Sequence, residues 1–253
     1  MLNEDNYRSR ENELKYMTFS QFSNFLDCEA AALAMVEGSW EIEPTPALLV
    51  GQYVEACFNG EKDLFESQHP EMFKKTGDRG LLRDFVIAEK MVERAEKDPV
   101  FMSYLKGDKQ QIRVGEICGV PIKTKTDFVV PRQRIVDLKT VKDFALQWVG
   151  REKVPFIEAR RYDIQAFFYE SVQDEPLPYY IAAITKESEP DIEIFEIPRD
   201  RIKIAGDIVY QFIERFQDIK EHKIEPTRCE CCNYCKSTKK LVGPIDYRNK
   251  RWS

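Results

Sequence analysis

An aspartate stands inside the most strand-prone run of this chain, and its placement restricts what the surrounding segment can become. From Gln110 to Thr140 the sequence reads QQIRVGEICGVPIKTKTDFVVPRQRIVDLKT. The run is rich in β-branched residues, with Gly119 and Pro131-Arg132-Gln133 as turn punctuation. It predicts a meander of three strands, Gln111 to Ile117, Val120 to Val130, and Arg134 to Lys139. Asp127 falls within TDFVV on the middle strand, where an acid needs a ligand or partner to offset its lost hydration. Asp137 and Lys139 lie two residues apart on the third strand and so point to one face. Alone, such a pair at a strand end is ordinary surface charge.

The flanking sequence is helical in pattern. TFSQFSNFLDCEAAALAM, from Thr18 to Met35, offers an N-cap at Thr18 or Ser20 and then apolar residues at helical spacing. TPALLVGQYVEACFNG predicts a second helix, with Pro46 suited to an early position and Gly60 to a C-terminal stop. A third, amphipathic helix is expected from Leu81 to Glu96. Beyond the strands come a helix around Glu158 to Val172, a strand pair in YYIAAITKE and IEIFEIP, and a helix from Arg199 to Lys220. No repeat, low-complexity tract or linker interrupts the sequence. The expectation is one α/β domain over residues 1–253, with a mainly helical part at 1–100, a core at 108–220, and a cysteine-rich basic tail at 226–253.

With 253 residues, 43% of them hydrophobic, the chain can bury a sizeable core. No apolar run approaches membrane-spanning length, and the opening MLNEDNYRSRENELKY is polar, so a cytoplasmic protein with no membrane partner is expected. A net charge of −6 argues against a uniform basic coat for nucleic acid, though not against a basic channel on an acidic molecule.

Further polar residues take up positions around Asp127 and Asp137. Glu55 lies on the second predicted helix, in GQYVEACF, and Gln165 and Tyr169 lie in RYDIQAFFYE at i and i+4, on one helical face. Three converging carboxylates can hold a hard divalent cation such as Mg²⁺. Such a cation polarises a phosphoryl oxygen and lowers the pKa of bound water. A lysine two residues after one ligand enters the same space, where it can orient the water or offset charge on the phosphate. Singly, each has a plainer reading: Glu55 as a solvated helix residue, Gln165 as a surface amide, Tyr169 as a half-buried aromatic.

Their order carries more weight than any one of them. An acid on a helix, Asp on a strand, Asp-x-Lys on its hairpin partner, then a helix with Gln-x-x-x-Tyr resembles the PD-(D/E)XK nuclease superfamily. It is most similar to the RecB-like branch, and within it to RecE-like phage-type exonucleases. The likeness runs from about Thr18 to the cysteine cluster. It implies a restriction-endonuclease-like core, a central mixed sheet flanked by helices. Asp127 and Asp137 match the metal-binding acids of that superfamily and Lys139 its catalytic lysine, and the Leu138 carbonyl would be a further ligand. Gln165 and Tyr169 match the motif that helps position DNA and the lysine. Glu55 departs from the histidine usual at this position; it remains a competent oxygen ligand, but the change leaves the choice between Mg²⁺ and Mn²⁺ open.

Of seven cysteines, Cys229, Cys231, Cys232 and Cys235 crowd into RCECCNYCKSTKK, which in an intracellular chain reads as metal or cluster ligation. The resemblance implies that Cys28 joins three C-terminal cysteines around a 4Fe-4S cluster. Cys229, Cys232 and Cys235 fit that role, with Cys231 as an alternative, although the last gap is shorter than usual in the branch. Local zinc remains open, because four thiolates suit either group, and a metal-free, redox-sensitive tail remains open too.

A cationic path for DNA would draw on Lys123 and Lys125 beside Asp127, on Arg160 and Arg161 before Gln165, and on KSTKKL in the tail. The resemblance implies a Mg²⁺-dependent double-strand exonuclease acting on linear duplex ends in phage or mobile-element recombination. A homo-oligomeric ring and a single-strand annealing partner would accompany it. The competing expectations are a single-strand nuclease or endonuclease of the same branch, and a catalytically idle DNA-binding partner in a recombination complex. A zinc-ribbon interaction protein would account for the last thirty or so residues alone.

Overall fold

The computed structural model describes residues 2–249 apart from 44, 76, 78, 79 and 242, so the last residues of the expected basic tail, 250–253, lie outside the described residues. The chain opens with helices α1 (Arg10–Lys15), α2 (Phe19–Asp27) and α3 (Glu29–Val36), followed by α4 (Pro46–Asn59), α5 (Lys62–Gln68), α6 (Arg83–Glu96) and α7 (Pro99–Tyr104). Strands β1 (Asp108–Ile117), β2 (Val120–Val130) and β3 (Arg134–Val141) come next, then a small hairpin of β4 (Gln147–Val149) and β5 (Glu152–Val154). Helices α8 (Phe156–Ala159) and α9 (Tyr162–Glu170), strands β6 (Tyr179–Thr185) and β7 (Ile192–Ile197), and helices α10 (Arg199–Lys220) and α11 (Asn233–Ser237) complete the order. Among the described residues no helix is long and apolar enough to cross a membrane.

The residues group into two compact units built from interleaved segments. One comprises Met1–Ile42, Gly115–Lys123 and Ile208–Ser253; the other comprises Glu43–Val114 and Thr124–Asp207.

A five-stranded sheet of order β1-β2-β3-β6-β7 forms the centre of the fold. β2–β3 and β6–β7 are antiparallel and β3–β6 is parallel, so the sheet is mixed as expected. The parallel pair needs a crossover, which α8 and α9 supply. On one face Phe128, Val136, Leu138 and Ala182 pack against Val50, Tyr53 and Val54 of α4 and against Phe85, Ala88 and Met91 of α6. On the other, Ile135, Val141, Ile181 and Ala183 pack with Phe156, Ala166 and Ile202. Each large apolar side chain fully buried in these layers contributes about 1.5–3 kcal/mol. Strand alternation puts Asp137 and Lys139 on the face shared by Ile135 and Val141, under α9.

Local signals explain the helices that frame this sheet. α4 starts at Pro46, with the Leu48 N–H donating to the Thr45 hydroxyl, and stops at Gly60 in a left-handed conformation. A Cβ at Gly51 would stand 3.0 Å from Thr140 Oγ1, so glycine lets α4 lie close to β3 one turn before Glu55. A Cβ at Gly206 would meet the Phe167 ring at 2.6 Å, so glycine is also what lets α10 approach α9.

Two expected helices are broken. The stretch from Thr18 to Met35 divides at Cys28, whose backbone is extended (φ −164°, ψ 109°). The helix expected around Glu158 to Val172 divides at Arg160 and Arg161, the latter left-handed at φ 57°. In the first unit Phe22 and Phe25 pack on Phe216, with ring centroids 5.2 and 5.1 Å apart.

Candidate active site

The acids meet where the β2–β3 ladder ends. Its register runs from Val130↔Arg134 to Phe128↔Val136. Beyond that, the Leu138 N–H donates to the Asp127 carboxylate at 2.9 Å, so a side chain stands in for the next rung. Asp137 is 1% exposed and fixed from two sides. Gln165 Nε2 donates to its Oδ1 at 2.8 Å, and the Lys139 ammonium lies 2.5 Å from its Oδ2. The lysine contact is an ion pair without good hydrogen-bond alignment, since Oδ2 otherwise lacks a partner. The Lys139 ammonium also sits 5.0 Å from the centre of the Tyr162 ring. Tyr169, one turn after Gln165, donates to the Lys125 carbonyl at 2.9 Å and so ties α9 to β2 beside Asp127. Glu55 accepts from Gln110 Nε2 at 2.9 Å.

Electrostatics bind these groups into one site. Burial raises the Asp127 carboxyl well above the ordinary range, and the Asp137 charge raises it further, against the opposing pull of Lys139. Burial also raises Glu55; Lys125 opposes this and Asp137 adds to it. Burial alone would lower Lys139, but Asp137, Tyr162 and Asp127 together hold it above its ordinary value, so it is an ammonium at neutral pH. Tyr162 and Tyr179 are both raised by burial and by the Asp137 charge.

A divalent cation fits this donor set. Burial and the Asp137 charge raise both Asp127 and Glu55, and half-buried acids of this kind call for a positive guest. Among the described residues, Gln165 Oε1 and the Tyr179 hydroxyl are also buried without a hydrogen-bond partner. The three carboxylates are wider apart than the cysteine sulfurs: among the described residues only the cysteines form a set whose donor atoms all lie within 4.8 Å of one another.

The basic residues expected to face DNA are placed differently from one another. Lys123 is 0% exposed; its ammonium donates to Glu13 at 2.7 Å and to the Tyr7 carbonyl, and lies 4.5 Å from the Tyr7 ring centre. Burial therefore removes Lys123 from the DNA-facing set. Lys125 is half-buried near Glu55, Arg160 is exposed, and Arg161 is half-buried at the start of α9. Sequence reasoning missed Tyr162 and Gln110. Tyr162 was within reach, since it precedes Gln165 by three residues and Tyr169 by seven and shares their helical face. Gln110 carries no local signal; its positive φ of 51° at the start of β1 is a tertiary outcome.

In the other unit, Cys28, Cys229, Cys232 and Cys235 bring their sulfurs within 4.8 Å of one another. Cys28 and Cys235 are 3.6 Å apart and Cys229 and Cys235 3.9 Å. Cys231 is exposed, with its sulfur 3.6 Å from that of Cys229. Burial works against the Cys229 thiolate, but the backbone N–H groups of Cys231 and Cys232 outweigh it and bring this thiol down to about 6. Glu29 buttresses the centre: it pairs with Arg215 at 2.7 and 2.8 Å and accepts from the Thr227 N–H at 2.7 Å. That carboxylate pins the segment leading to Cys229 beside the helix start that carries Cys28.

Comparison with known proteins agrees with this architecture. None of the curated proteins matches the chain. A candidate exonuclease from Eubacterium rectale, known from its crystal structure, is similar with a TM-score of 0.91 and 35% sequence identity, over 97% of this chain and 96% of its own. The model of the family described as a PDDEXK-like domain of unknown function (DUF3799) matches residues 18–238. The mixed sheet, the carboxylates at the end of its β2–β3 ladder and this match lead to one conclusion: the chain belongs to that PDDEXK-like family.

Proposed function

We propose that this protein is a divalent-metal-dependent deoxyribonuclease, a RecE-like exonuclease that degrades linear duplex DNA from its ends. The observation that carries the reading is the arrangement at Asp137, held by Gln165 at 2.8 Å and by Lys139 at 2.5 Å, next to an Asp127 that bridges to the Leu138 N–H. The likeness to the candidate exonuclease from Eubacterium rectale supports it.

Asp127, Asp137 and Glu55, with the Leu138 carbonyl, would hold Mg²⁺ or Mn²⁺, and the cation would polarise the phosphoryl oxygen and acidify the attacking water. The residues of the chain do the rest. Gln165 keeps the Asp137 carboxylate in one orientation. Lys139, an ammonium at neutral pH, offsets the charge that builds on the phosphate oxygens during in-line displacement. Tyr162 lies against that ammonium and confines it, and Tyr169 fixes β2 through the Lys125 carbonyl. Lys125, Arg160 and Arg161 remain the basic residues suited to the DNA backbone. All seven cysteines are unpaired, which suits a reducing cytoplasm.

At the cysteine centre the sulfur separations favour one tetrahedral ion such as zinc. A zinc–sulfur bond of about 2.3 Å places neighbouring sulfurs roughly 3.8 Å apart. The observed 3.6 and 3.9 Å match this, whereas a four-iron cluster binds each thiolate to a different iron and spreads them further.

Incubation with linear duplex and with covalently closed circular duplex, in Mg²⁺ or Mn²⁺, tests the exonuclease reading. Digestion of the linear form alone is expected. Nicking of the circle would replace it with an endonuclease, and preference for single strands would replace it with a single-strand nuclease.

A further inference from the structure

Between the catalytic strand and α9, the chain extends the β4–β5 hairpin, which neither the acids nor the sheet requires. Its pairing is Gln147↔Val154, Trp148↔Lys153 and Val149↔Glu152, so Trp148 and Lys153 stand directly opposite each other on one face. That face is exposed: Trp148 is 67% accessible, and the Lys153 ammonium sits 5.2 Å from its ring centre. Gln147 and Val154, on the opposite face, are half-buried. Leu146 beside it is 56% exposed. A lone two-stranded ribbon is marginally stable in water, and its tryptophan packs across the strands on Lys153 while leaving two thirds of its surface exposed.

The hairpin is nevertheless rooted at the site. Phe144 and Phe156, which flank it, stack with centroids 6.0 Å apart. Phe156 meets Tyr162 edge-on at 6.2 Å, and the Tyr162 ring lies 5.0 Å from the Lys139 ammonium. Two aromatic contacts thus connect the ribbon's base to the catalytic lysine.

We infer that the exposed face of this hairpin is a stacking platform for the terminal base of a DNA strand, an inference that rests on the nuclease reading and deepens it. Charge complementarity selects this occupant. In a chain of net charge −6, residues 142–161 carry five bases and three acids. Arg151 and Lys153 are exposed around the tryptophan, while Glu152 points to the other face. Lys142 is also exposed, 3.5 Å from Asp143. An indole beside an ammonium serves both parts of a nucleotide: the ring takes a base of any sequence and the cation takes its phosphate. Duplex ends, unlike duplex interiors, offer a base with a free face.

The test uses the full chain carrying Asp137→Asn, so that DNA survives, and a duplex with 2-aminopurine at its 3′ or 5′ terminus. Stacking on Trp148 is expected to quench the probe. Trp148→Ala should abolish the quench and weaken end binding about tenfold, the scale of one lost base–aromatic stack. Trp148→Phe should retain most of both, and binding to closed circular DNA should change little. Unchanged quenching and end affinity in Trp148→Ala would overturn the inference. So would a change in sedimentation with end binding intact, since the face would then be covered by a second copy of the chain. The outcomes separate from those of the nuclease reading. Wild type that digests DNA while Trp148→Ala binds ends normally keeps the nuclease and loses the platform. Loss of the quench in Trp148→Ala, with wild type that never cuts, keeps the platform and loses the nuclease.

Discussion

Lys220 shows how a single residue sets its own pH dependence. It is 4% exposed, and its ammonium donates to the Tyr16 carbonyl at 2.8 Å and to Gln21 Oε1 at 2.9 Å, both uncharged acceptors. Burial brings it down to about 7, only partly opposed by Glu13. The unfolded chain, with an ordinary lysine, therefore binds more protons between pH 7 and about pH 10, and stability must rise with pH across that window. Lys220→Met removes this dependence, so its stability relative to wild type should be highest at pH 7 and should decline towards pH 9, read from urea midpoints. A constant difference would mean that the lysine is solvated. The sequence marks Lys220 only as the end of a helix, because its burial is decided by segments some two hundred residues away. Asp127 was legible for the opposite reason: its desolvation is written locally, in the apolar residues on either side.

At the scale of elements, the break between α2 and α3 is the feature that the sequence conceals. Alanine-rich helical spacing runs straight through Cys28, and local propensity favours one continuous helix. The structure extends the backbone there and brings Cys28 to 3.6 Å from Cys235. The partner that sets this conformation arrives only with α11, 207 residues later. Zinc bound by the four thiolates would make that break a structural necessity, because binding energy at such a site is folding energy. Cys28→Ser is expected to lose stoichiometric zinc and to melt several degrees lower, whereas Cys231→Ser should keep both metal and melting temperature. Elemental analysis with thermal melts checks this. Stoichiometric iron with visible absorption would establish the four-iron alternative, and an unchanged Cys28→Ser protein would remove the centre altogether. The strands were easier to read: β2 matches its expected bounds, and β3 only extends two residues beyond them.

For the whole molecule, the mixed sheet was legible only through the family resemblance that the order of the motifs carries. Element spacing alone gave an α/β domain without a strand order, and the parallel β3–β6 pair is a finding of the structure. The interleaving of the two units was not legible. It depends on where β1, β2 and α10 pass from one unit into the other, and periodicity does not register such points. The hairpin β4–β5 also escaped, because its strands of three residues are too short for alternation to show. The central claim is that the strand bearing Asp137 and Lys139 is a hydrolytic centre. Its most direct test is the release of label from end-labelled linear duplex by wild type, Asp137→Asn and Lys139→Ala in Mg²⁺ and in Mn²⁺, with circular dichroism to confirm folding. Wild type should release the label, and the two folded variants should be slower by at least about a hundredfold. Equal release by all three, or none from wild type in either metal, would contradict the account.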